Sequence, residues 1–446
     1  MKTESPVDAR WIPPLIPELK ILERDGRWLC LSPQVPSWII TTRPGALLLR
    51  MVDGERTLQE YHEILEGQGI RAPLSALASF FQSAADAKLF GPARDAGAKS
   101  SWQDRKLTAL YLHLTNRCNL QCSYCYRESS PRLPIAHDSR RFCEMLEYVQ
   151  PFAEPHMEVT FSGGEPLMHP GFKDVAATAK RLGYTNVLLT NGTLITEPMA
   201  DFIHDHFVRT KISLDGPNEE IHSLTRGKGN FSQVVRSIEK LAVRKVRVTV
   251  QVTLSKSAIP YVDEIKRVLP DVPNVRLVFT PLFPMGRGEA MQDESIDNDE
   301  FYSFSQGRDN RARYYPGRRS RSCHAGAGSL SIADTGDVYP CHLFHFKEFH
   351  FGNIFHDPFE EIFCGEKIKS YVRSMDVEHN NPTCKACEVR FLCSGGCHGN
   401  ALYAIGDYRA PDSCCDYLKS TILDNLFRQT IPRESGGIQT GVQASL

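Results

Sequence analysis

The residues best suited to chemistry are three closely spaced cysteines, Cys118, Cys122 and Cys125, in a C-x3-C-x2-C run. Three thiolates can hold three irons of a [4Fe–4S] cube and leave the fourth iron open to a ligand that reacts. Zinc is the main alternative, although zinc motifs usually pair C-x2-C with a second, distant pair. The run follows the apolar segment 107–114 directly, which predicts that it lies at the end of a strand.

A second group of cysteines lies in the C-terminal third of the chain. Short spacings of this kind indicate metal ligation, and a zinc ribbon remains an alternative to iron. Cys30, Cys143 and Cys364 lie outside any motif, and we interpret them as ordinary buried thiols. The members of the second group are Cys323, Cys341, Cys384, Cys387, Cys393, Cys397, Cys414 and Cys415.

Bulk composition limits the classes of partner. The chain has 446 residues and a formal net charge of −1, so no broad attraction to nucleic acid or to an anionic membrane is expected. No apolar run approaches the roughly 18 residues of a membrane span, and the N-terminus lacks the apolar core of a signal peptide. We therefore expect a cytoplasmic protein with no membrane span and no nucleic-acid partner.

The middle of the chain alternates apolar strands with amphipathic helices. Six such repeats predict a parallel sheet covered by helices, and six units fit a partial barrel better than a full eight-unit barrel. The predicted strands are 107–114, 157–161, 186–189, 210–214, 246–254 and 275–280, and the predicted helices are 139–149, 172–182, 197–206, 231–244 and 259–269.

Polar residues follow four of these strands. After the cysteine run come Gly163-Gly164-Glu165, then Thr190-Asn191-Gly-Thr193, then Ser213-Leu-Asp215-Gly216. Each segment alone reads as a turn or a helix cap. In a parallel barrel, however, all four loops lie at the carboxyl ends of the strands, where active sites are found.

The cysteine run and the later Ser162-Gly-Gly-Glu-Pro166 resemble the motifs of the radical S-adenosylmethionine (SAM) enzymes. The resemblance implies a [4Fe–4S] cluster on Cys118, Cys122 and Cys125 that binds SAM and cleaves it to a 5′-deoxyadenosyl radical. It also implies a set of residues around SAM: Gly163, Gly164 and Glu165 at the amino group, Asn191, Ser213 and Asp215 along the methionine and ribose, Arg226 near the carboxylate, and Tyr124 at the adenine.

The second cysteine group resembles the SPASM extension of that family, which holds two auxiliary iron–sulfur clusters. The resemblance implies that Cys384, Cys387, Cys393 and one of Cys414 and Cys415 bind one cluster, with the spacing favouring Cys415. It implies that Cys323, Cys341 and Cys397 bind the other. Some relatives have a further cysteine where this chain has Ser329. Our hypothesis is that the second cluster has an open iron for a substrate thiolate, although a serine, another cysteine or water would also fill it.

Residues 18–92 predict a separate winged-helix-like unit. Two strands at 27–31 and 38–41 precede helices at 45–52, 57–65 and 73–88, with a capping box between Thr57 and Glu60. The segment Leu49–Leu58 resembles the PqqD-like recognition element of ribosomal peptide maturation, in which a leader peptide adds a strand to a sheet edge. DNA binding is disfavoured because the unit has no basic excess, and a purely structural cap is the remaining alternative.

The predicted domains are therefore a recognition unit at 18–92, a radical SAM partial barrel at 105–310 and a SPASM domain at 315–425. Residues 93–104 read as a linker, and the tail from Arg433 as disordered. Three further segments resemble sactipeptide maturases of the subtilosin type, which form sulfur-to-α-carbon thioethers in a precursor peptide: Arg127–Pro131, Arg226–Phe231 and Gly352–Asp357.

The expected partners are a precursor peptide, held by its leader, and an electron donor such as ferredoxin or flavodoxin. Other chemistries stay open on the same scaffold: carbon–carbon cross-linking as in pyrroloquinoline quinone maturation, epimerisation, sulfatase maturation or another substrate outside peptides. From a different class, a non-catalytic zinc or electron-transfer scaffold would bind no SAM.

Overall fold

The computed structural model describes residues 8–91, 94–95, 102–305 and 318–429. The predicted linker lies mostly outside these ranges, and the predicted disordered tail lies wholly outside them. None of the described helices is long and apolar enough to cross a membrane.

The N-terminal unit is a three-stranded antiparallel sheet followed by three helices. The two predicted strands are confirmed, and a third strand, β1, precedes them. The predicted capping box is also confirmed, because Thr57 Oγ1 accepts from Glu60 N at 3.3 Å and Glu60 Oε2 accepts from Thr57 N at 2.6 Å. The elements are β1 (Lys20–Arg24), β2 (Arg27–Ser32), β3 (Ser37–Thr41), α1 (Arg43–Met51), α2 (Leu58–Gly67) and α3 (Leu74–Asp86).

This unit packs on the C-terminal part of the chain. Leu29, Leu31 and Trp38 of its sheet share one buried apolar cluster with Ile422 and Leu426. An ion pair reinforces the contact, since Arg390 Nη2 lies 2.6 Å from Glu18 Oε2 and the Arg390 side chain is 2% exposed. The N-terminal unit is therefore docked rather than merely tethered.

The middle of the chain forms the predicted barrel, with six neighbouring parallel strands in chain order. All six predicted strands and all five predicted helices are present, and two short helices, α7 and α10, were not predicted. The elements are β4 (Leu107–Thr115), α4 (Ser139–Tyr148), β5 (Ala153–Gly163), α5 (Phe172–Arg181), β6 (Thr185–Thr190), α6 (Glu197–His206), β7 (Arg209–Ser213), α7 (Glu219–Arg226), α8 (Phe231–Val243), β8 (Val248–Leu254), α9 (Val262–Arg267), β9 (Val275–Pro281) and α10 (Asn298–Ser305).

Side-chain caps fix where several of these helices begin. Asp138, Thr196 and Asn218 each accept a hydrogen bond from the backbone N–H three residues further on, at 3.2, 3.3 and 3.0 Å. Such caps satisfy N–H groups that the first helical turn leaves unpaired. They start helices α4, α6 and α7 on the residue that follows each cap.

The two faces of the barrel sheet differ in polarity. Leu110, Leu112 and Leu114 of β4 belong to the apolar core that also contains the buried faces of the helices. The intervening residues Tyr111 and His113 point to the opposite face, because side chains alternate along a strand. That face lines the inside of the barrel.

The C-terminal part extends the same sheet. Strand β10 pairs parallel with β4, and β11 and β12 continue the sheet antiparallel, giving nine strands in all. A two-residue parallel pair joins Arg94–Asp95 to Arg318–Arg319. The remaining elements are β10 (Ser329–Ile332), β11 (Asp337–Tyr339), β12 (Gly352–Asn353), α11 (Phe359–Cys364), α12 (Glu366–Ser374), α13 (Pro382–Ala386), α14 (Arg390–Cys393), α15 (His398–Ile405) and α16 (Cys415–Arg428).

Candidate active site

The cysteine loop leaves the carboxyl end of β4, as predicted. Backbone hydrogen bonds hold it at both ends: Cys118 N donates to Ser130 O at 3.1 Å, and Ser123 N donates to Thr225 O at 2.8 Å. The second contact ties the loop to helix α7. The loop is therefore fixed between the first strand of the barrel and a helix that follows the fourth.

Hydrogen-bond donors are directed at the thiol sulfurs. Leu120 N lies 3.4 Å and Asn191 Nδ2 3.9 Å from Cys118 Sγ, and Arg226 Nη1 lies 3.9 Å from Cys122 Sγ. Burial raises the pKa of Cys118 to about 12, against the effect of the Leu120 N–H. Donors around sulfur and a cationic guanidinium suit an anionic iron–sulfur cluster, whose properties depend on such hydrogen bonds. The loop thus fits the predicted cluster.

The two glycines after β5 are required by a close approach of two backbones. A Cβ on Gly163 would lie 2.2 Å from Thr115 O, and a Cβ on Gly164 would lie 2.4 Å from Arg117 O. Gly163 also has a φ of +127°, which disfavours any other residue. These glycines pack the Gly-Gly-Glu loop directly against the start of the cysteine loop.

Glu165 is a fully buried carboxylate that follows β5 and contacts the end of β6. Its Oε1 accepts from Thr190 Oγ1 at 2.8 Å, and its Oε2 accepts from Asn191 N at 2.8 Å. Burial nevertheless raises the pKa of Glu165 to about 7, because these hydrogen bonds offset only part of the desolvation. A buried carboxylate that is held by such hydrogen bonds can accept a further hydrogen bond from an ammonium group.

Asp215, Arg226 and Tyr124 form a second polar cluster beside the loop. Arg226 Nε lies 2.6 Å from Asp215 Oδ2, which also accepts a hydrogen bond from the Tyr124 hydroxyl. Burial alone would raise the pKa of Asp215, but the charge of Arg226 and the bonds from Tyr124 and Thr253 N hold it below its usual value. Arg226 also lies over the Tyr124 ring, with Cζ 5.2 Å from its centroid.

The structure brings the predicted SAM-pocket residues to one edge of the barrel. Ser213 is half-buried at the end of β7 and has no side-chain hydrogen bond within the described ranges. Asn191 Nδ2 donates to Asn119 Oδ1 at 2.9 Å, and this hydrogen bond connects Asn191 to the cysteine loop.

Arg287 is a functional candidate to which the sequence analysis gave no role. Its Nε donates to Cys122 O at 2.9 Å and its Nη1 to Ser129 O at 2.9 Å, so it clamps the cysteine loop. The preceding Gly286 has a φ of +52° and a Cβ there would meet Cys125 O at 2.9 Å. Arg287 lies in the loop after the sixth barrel strand, and only the fold reveals its contact with the cysteine loop.

Cys323, Cys341 and Cys397 lie near enough for their charges to act on one another, and Tyr371 lies beside all three. Burial and then the nearby Cys397 raise the pKa of Cys323 to about 12. Tyr371, which is 6% exposed, packs on the loop after Cys323, and its hydroxyl has no hydrogen-bond partner in the described part of the chain. An unpartnered buried hydroxyl beside three thiols fits a group held between them. The ring of Tyr371 lies 5.7 Å from those of Phe344 and Tyr408.

A second set of thiols comprises Cys384, Cys387, Cys393 and Cys415. Burial and then the charge of Cys415 raise the pKa of Cys384 to about 11 and that of Cys393 to about 12. Cys414 belongs elsewhere: burial, Asp412 and Cys397 raise its pKa to about 11. The Asp412 carboxylate accepts from Cys397 N at 2.6 Å and from Cys414 N at 2.8 Å. The charges that act on Cys384 and Cys393 therefore favour Cys415 over Cys414 in this set.

Cys30, Cys143, Cys364 and Ser329 are not part of these sets. All fourteen cysteines lie in the described ranges and are free thiols. Cys30 is buried as predicted, whereas Cys143 and Cys364 are only half-buried. Ser329 Oγ donates to His324 O at 3.0 Å, so its hydroxyl is engaged within its own loop.

A buried polar chain joins the two cysteine regions. Arg127 Nη1 donates to His345 Nδ1 at 2.6 Å, so neutral His345 carries its proton on Nε2, 2.8 Å from Ser331 Oγ. Ser331 Oγ can then donate to His113 Nε2 at 3.1 Å. Burial, ahead of the charge of Arg127, lowers the pKa of both histidines, which keeps them neutral.

Two family models match the chain in the order of its predicted domains. The model of the radical SAM superfamily matches residues 112–257, and SPASM, an iron–sulfur cluster-binding domain, matches residues 323–388. The chain carries a radical SAM domain followed by a SPASM domain. It is an enzyme whose first domain binds a [4Fe–4S] cluster and SAM and whose second domain binds iron–sulfur clusters. The predicted α/β fold with a partial barrel is confirmed.

Curated relatives cover about two thirds of the chain at low identity. The antilisterial bacteriocin subtilosin biosynthesis protein AlbA of Bacillus subtilis is 26% identical over 326 residues, 70% of this chain and 71% of AlbA. An AdoMet-dependent heme synthase of Oleidesulfovibrio alaskensis is 27% identical over 340 residues, 68% of this chain and 86% of that protein. A cysteine-type anaerobic sulfatase-maturating enzyme of Clostridium perfringens is 27% identical over 330 residues, 65% and 88% of the two chains.

Solved structures share the fold. The sulfatase-maturating enzyme anSMEcpe with bound AdoMet has a TM-score of 0.57 at 21% identity and covers 72% of this chain and 98% of its own. Streptococcus suis SuiB bound to the precursor peptide SuiA has a TM-score of 0.51 at 14% identity and covers 89% of this chain and 98% of its own. These identities establish the likeness of fold.

Proposed function

We propose that this enzyme modifies a ribosomally made precursor peptide and that it forms thioether links between cysteine sulfur and α-carbons. Cys118, Cys122 and Cys125 would hold the cluster that binds SAM. Auxiliary clusters would be held by two further sets: Cys323, Cys341 and Cys397 in one, and Cys384, Cys387, Cys393 and Cys415 in the other. The observation that carries a peptide substrate is the docked N-terminal unit.

That unit supports peptide recognition in two ways. Its strands precede three helices, as predicted for a leader-binding element, and outer strands β1 and β3 each pair with β2 alone within the described residues. An unpaired strand edge can accept a peptide as an additional strand. SuiB, which was solved with its precursor peptide, matches 89% of this chain, whereas anSMEcpe matches 72%. The docking on α16 would deliver a bound leader next to the SPASM domain.

The thioether assignment is supported by AlbA, a subtilosin biosynthesis protein, and by the set with only three cysteines. Ser329 is turned to its own loop at 3.0 Å from His324 O, so it does not complete that set. A fourth position there would suit a thiolate from the peptide, since thiolates are the ordinary ligands of iron–sulfur clusters.

When bound, SAM and the clusters supply a 5′-deoxyadenosyl radical that takes hydrogen from the peptide and an acceptor for the remaining electron. The chain's own residues would bind SAM and orient it. Glu165 would accept a hydrogen bond from the SAM ammonium group. Arg226, which is held in place by Asp215, would present a positive charge beside Cys122. Holding the reacting atoms in place supplies much of such catalysis.

Anaerobic co-expression with the small open reading frame beside the gene tests the proposal. We expect the peptide to lose two hydrogen atoms per cross-link, with the corresponding cysteines no longer alkylated in mass spectrometry. Loss of hydrogen with free thiols would instead establish carbon–carbon bonding. Full-length peptide of unchanged mass and unchanged residue stereochemistry would overturn peptide modification.

A substrate other than a peptide is the second candidate. It is favoured by the heme synthase, which matches this chain at nearly the same identity as AlbA. The N-terminal unit distinguishes the two candidates. Replacing exposed Lys20 on the β1 edge by Pro would disturb that edge without deleting a buried side chain, and should impair peptide modification but spare turnover of a small substrate.

A further inference from the structure

Lys211 lies in the middle of β7, on the face of the sheet that lines the barrel. Its neighbours Thr210 and Ile212 are fully buried, and Ile212 packs in the core beneath the helices. Because successive side chains of a strand point to opposite faces, Lys211 points into the barrel interior. It is half-buried there, and burial, ahead of the nearby charges, lowers its pKa.

The positive charges in this interior are not balanced. Arg209 Nη2 donates to both carboxylate oxygens of Glu158, at 2.9 and 2.8 Å, so these two residues neutralise each other. Strands β4 to β9 contain two acidic residues: Glu158 is paired with Arg209, and Glu154 lies exposed at the start of β5. Lys211 has neither an ion pair nor a hydrogen bond from its ammonium group within the part of the chain that is described.

Arg276 is the second cation without a carboxylate. It occupies the same level as Lys211, since Lys211 and Arg276 both pair in register with Thr249 of β8. Its Nε donates to Thr249 Oγ1 at 3.0 Å, and it forms no ion pair with a described residue. Arg276 is exposed on the last strand of the open barrel, so this side of the interior is reached from solvent.

The opposite wall also carries an unsatisfied polar atom. The His342 ring stacks on Tyr111 of β4 with centroids 4.5 Å apart, and its Nδ1 is buried without a hydrogen-bond partner in the described ranges. Tyr111 and Lys211 lie on the same face of the sheet, on β4 and β7, so His342 and Lys211 border the same interior. Two cations and a buried nitrogen therefore surround a polar interior.

We propose that Lys211 and Arg276 form a carboxylate-binding site inside the barrel, which anchors an acidic side chain or the C-terminal carboxylate of the substrate. An unpaired, half-buried ammonium is costly, and a carboxylate ligand would repay that cost through charge-assisted hydrogen bonds. The proposal names the substrate's chemistry and rests on the proposed peptide function.

The distance from Lys211 to the mouth of the barrel suits an anchor for the substrate. Ser213 follows Lys211 by two residues on the same face of β7, about 6.6 Å along the strand, and stands at the mouth next to Asp215. A carboxylate held by Lys211 would keep the adjoining residues of the substrate at the mouth, beside the cysteine loop. The anchor therefore bears on which residue is modified.

A labelling experiment tests the site without turnover. The anaerobic holoenzyme is treated with formaldehyde and cyanoborohydride, and methylation of Lys211 is followed by mass spectrometry in the presence of glutarate or its neutral diamide. Glutarate should slow labelling of Lys211 several-fold and the diamide should not, while exposed Lys266 of α9 serves as the internal control. Equal labelling of Lys211 with glutarate and with the diamide would overturn the carboxylate site, whatever the substrate.

Peptide variants then separate the two sources of carboxylate. With the co-expressed precursor, Lys211→Met should raise KM by about tenfold or more, and Lys211→Arg should restore most of the loss. If an acidic side chain is held, the effect of Lys211→Met should vanish in peptides whose acidic core residues are changed to amides. If the C-terminal carboxylate is held, the effect should vanish in C-terminally amidated peptide. A KM that Lys211→Met leaves unchanged would refute the anchor. If wild-type enzyme leaves every peptide unmodified, the proposed function fails, and glutarate protection still decides the site.

Discussion

The two cysteine regions differ in the side chains that surround them. Cys118, Cys122 and Cys125 come from one loop and have a cation and amide donors directed at their sulfurs. The thiols of the SPASM part are collected from segments far apart in the chain. Those of Cys323, Cys341 and Cys397 lie beside Tyr371, whose ring packs with Phe344 and Tyr408. The nearby carboxylate of Asp412 is occupied by backbone N–H groups.

This difference indicates a division of work. A charged surround can hold a zwitterionic ligand such as the methionine end of SAM and stabilise changes in charge there. An aromatic surround excludes water and keeps a cluster from exchanging ligands freely. The first region is thus suited to cleaving SAM, and the second to holding clusters and a soft ligand.

Removing one thiolate from each region should have the sharpest consequence. Cys118→Ala should abolish formation of 5′-deoxyadenosine, because the cluster that binds SAM would lose a ligand. Cys384→Ala should still cleave SAM but yield no cross-linked peptide. Chromatographic measurement of 5′-deoxyadenosine in both variants checks this, and 5′-deoxyadenosine from Cys118→Ala at the wild-type rate would contradict the division of work.

The adjacent cysteines Cys414 and Cys415 offer a matched pair. Cys415→Ala should lose about four irons per chain, since Cys415 lies with Cys384 and Cys393. Cys414→Ala should retain the iron content of the wild type. Iron and sulfide analysis of the two anaerobically purified variants decides between them, and the reverse pattern would show that the assignment is inverted.

The buried ion pair should dominate the stability of the first region. Asp215→Asn would leave Arg226, whose side chain is 10% exposed, without its partner, and should cost about 3–5 kcal/mol of unfolding free energy. The matched control is Asp201→Asn, which removes an exposed partner of Arg244 and should change stability little. Urea unfolding compares them, and equal effects would mean that the pair at Asp215 is no more than a surface contact.

Glu165 should give the apoprotein a pH-dependent stability. Its pKa of about 7 lies above that of an unfolded glutamate, so the folded state retains the proton to higher pH. Stability should therefore be greatest below about pH 4.5 and fall as the pH rises through 7, by up to about 3 kcal/mol. Unfolding at pH 5 and pH 8 should show this loss in the wild type but not in Glu165→Gln. An identical pH dependence in both proteins would refute the raised pKa.

Much of the barrel follows from local patterns, because its strands are apolar and β-branched and its helices begin at caps such as Thr196. The cysteine spacings likewise mark the candidate metal ligands, and the division of these ligands into sets is what the family resemblance implies. Strand β1 was missed because its KILER sequence has mostly exposed side chains, and β10 because four residues become a strand only by pairing with β4.

Contacts between segments that are far apart in the chain could not be predicted from the sequence. Arg287 meets Cys122 O across 165 residues, and nothing in the local sequence marks that pairing. The same holds for the unbalanced charge of Lys211, which depends on Arg209 being paired with Glu158 of another strand. Long-range geometry, rather than residue type, decides such roles.

The most direct test of the account is transfer of hydrogen from the peptide to SAM's product. The co-expressed precursor would be made with deuterium at the α-carbons of its candidate acceptor residues and incubated anaerobically with reduced holoenzyme and SAM. We predict that deuterium appears in 5′-deoxyadenosine in step with formation of the cross-link. Cross-linked peptide accompanied by 5′-deoxyadenosine without deuterium would contradict the proposed attack on an α-carbon.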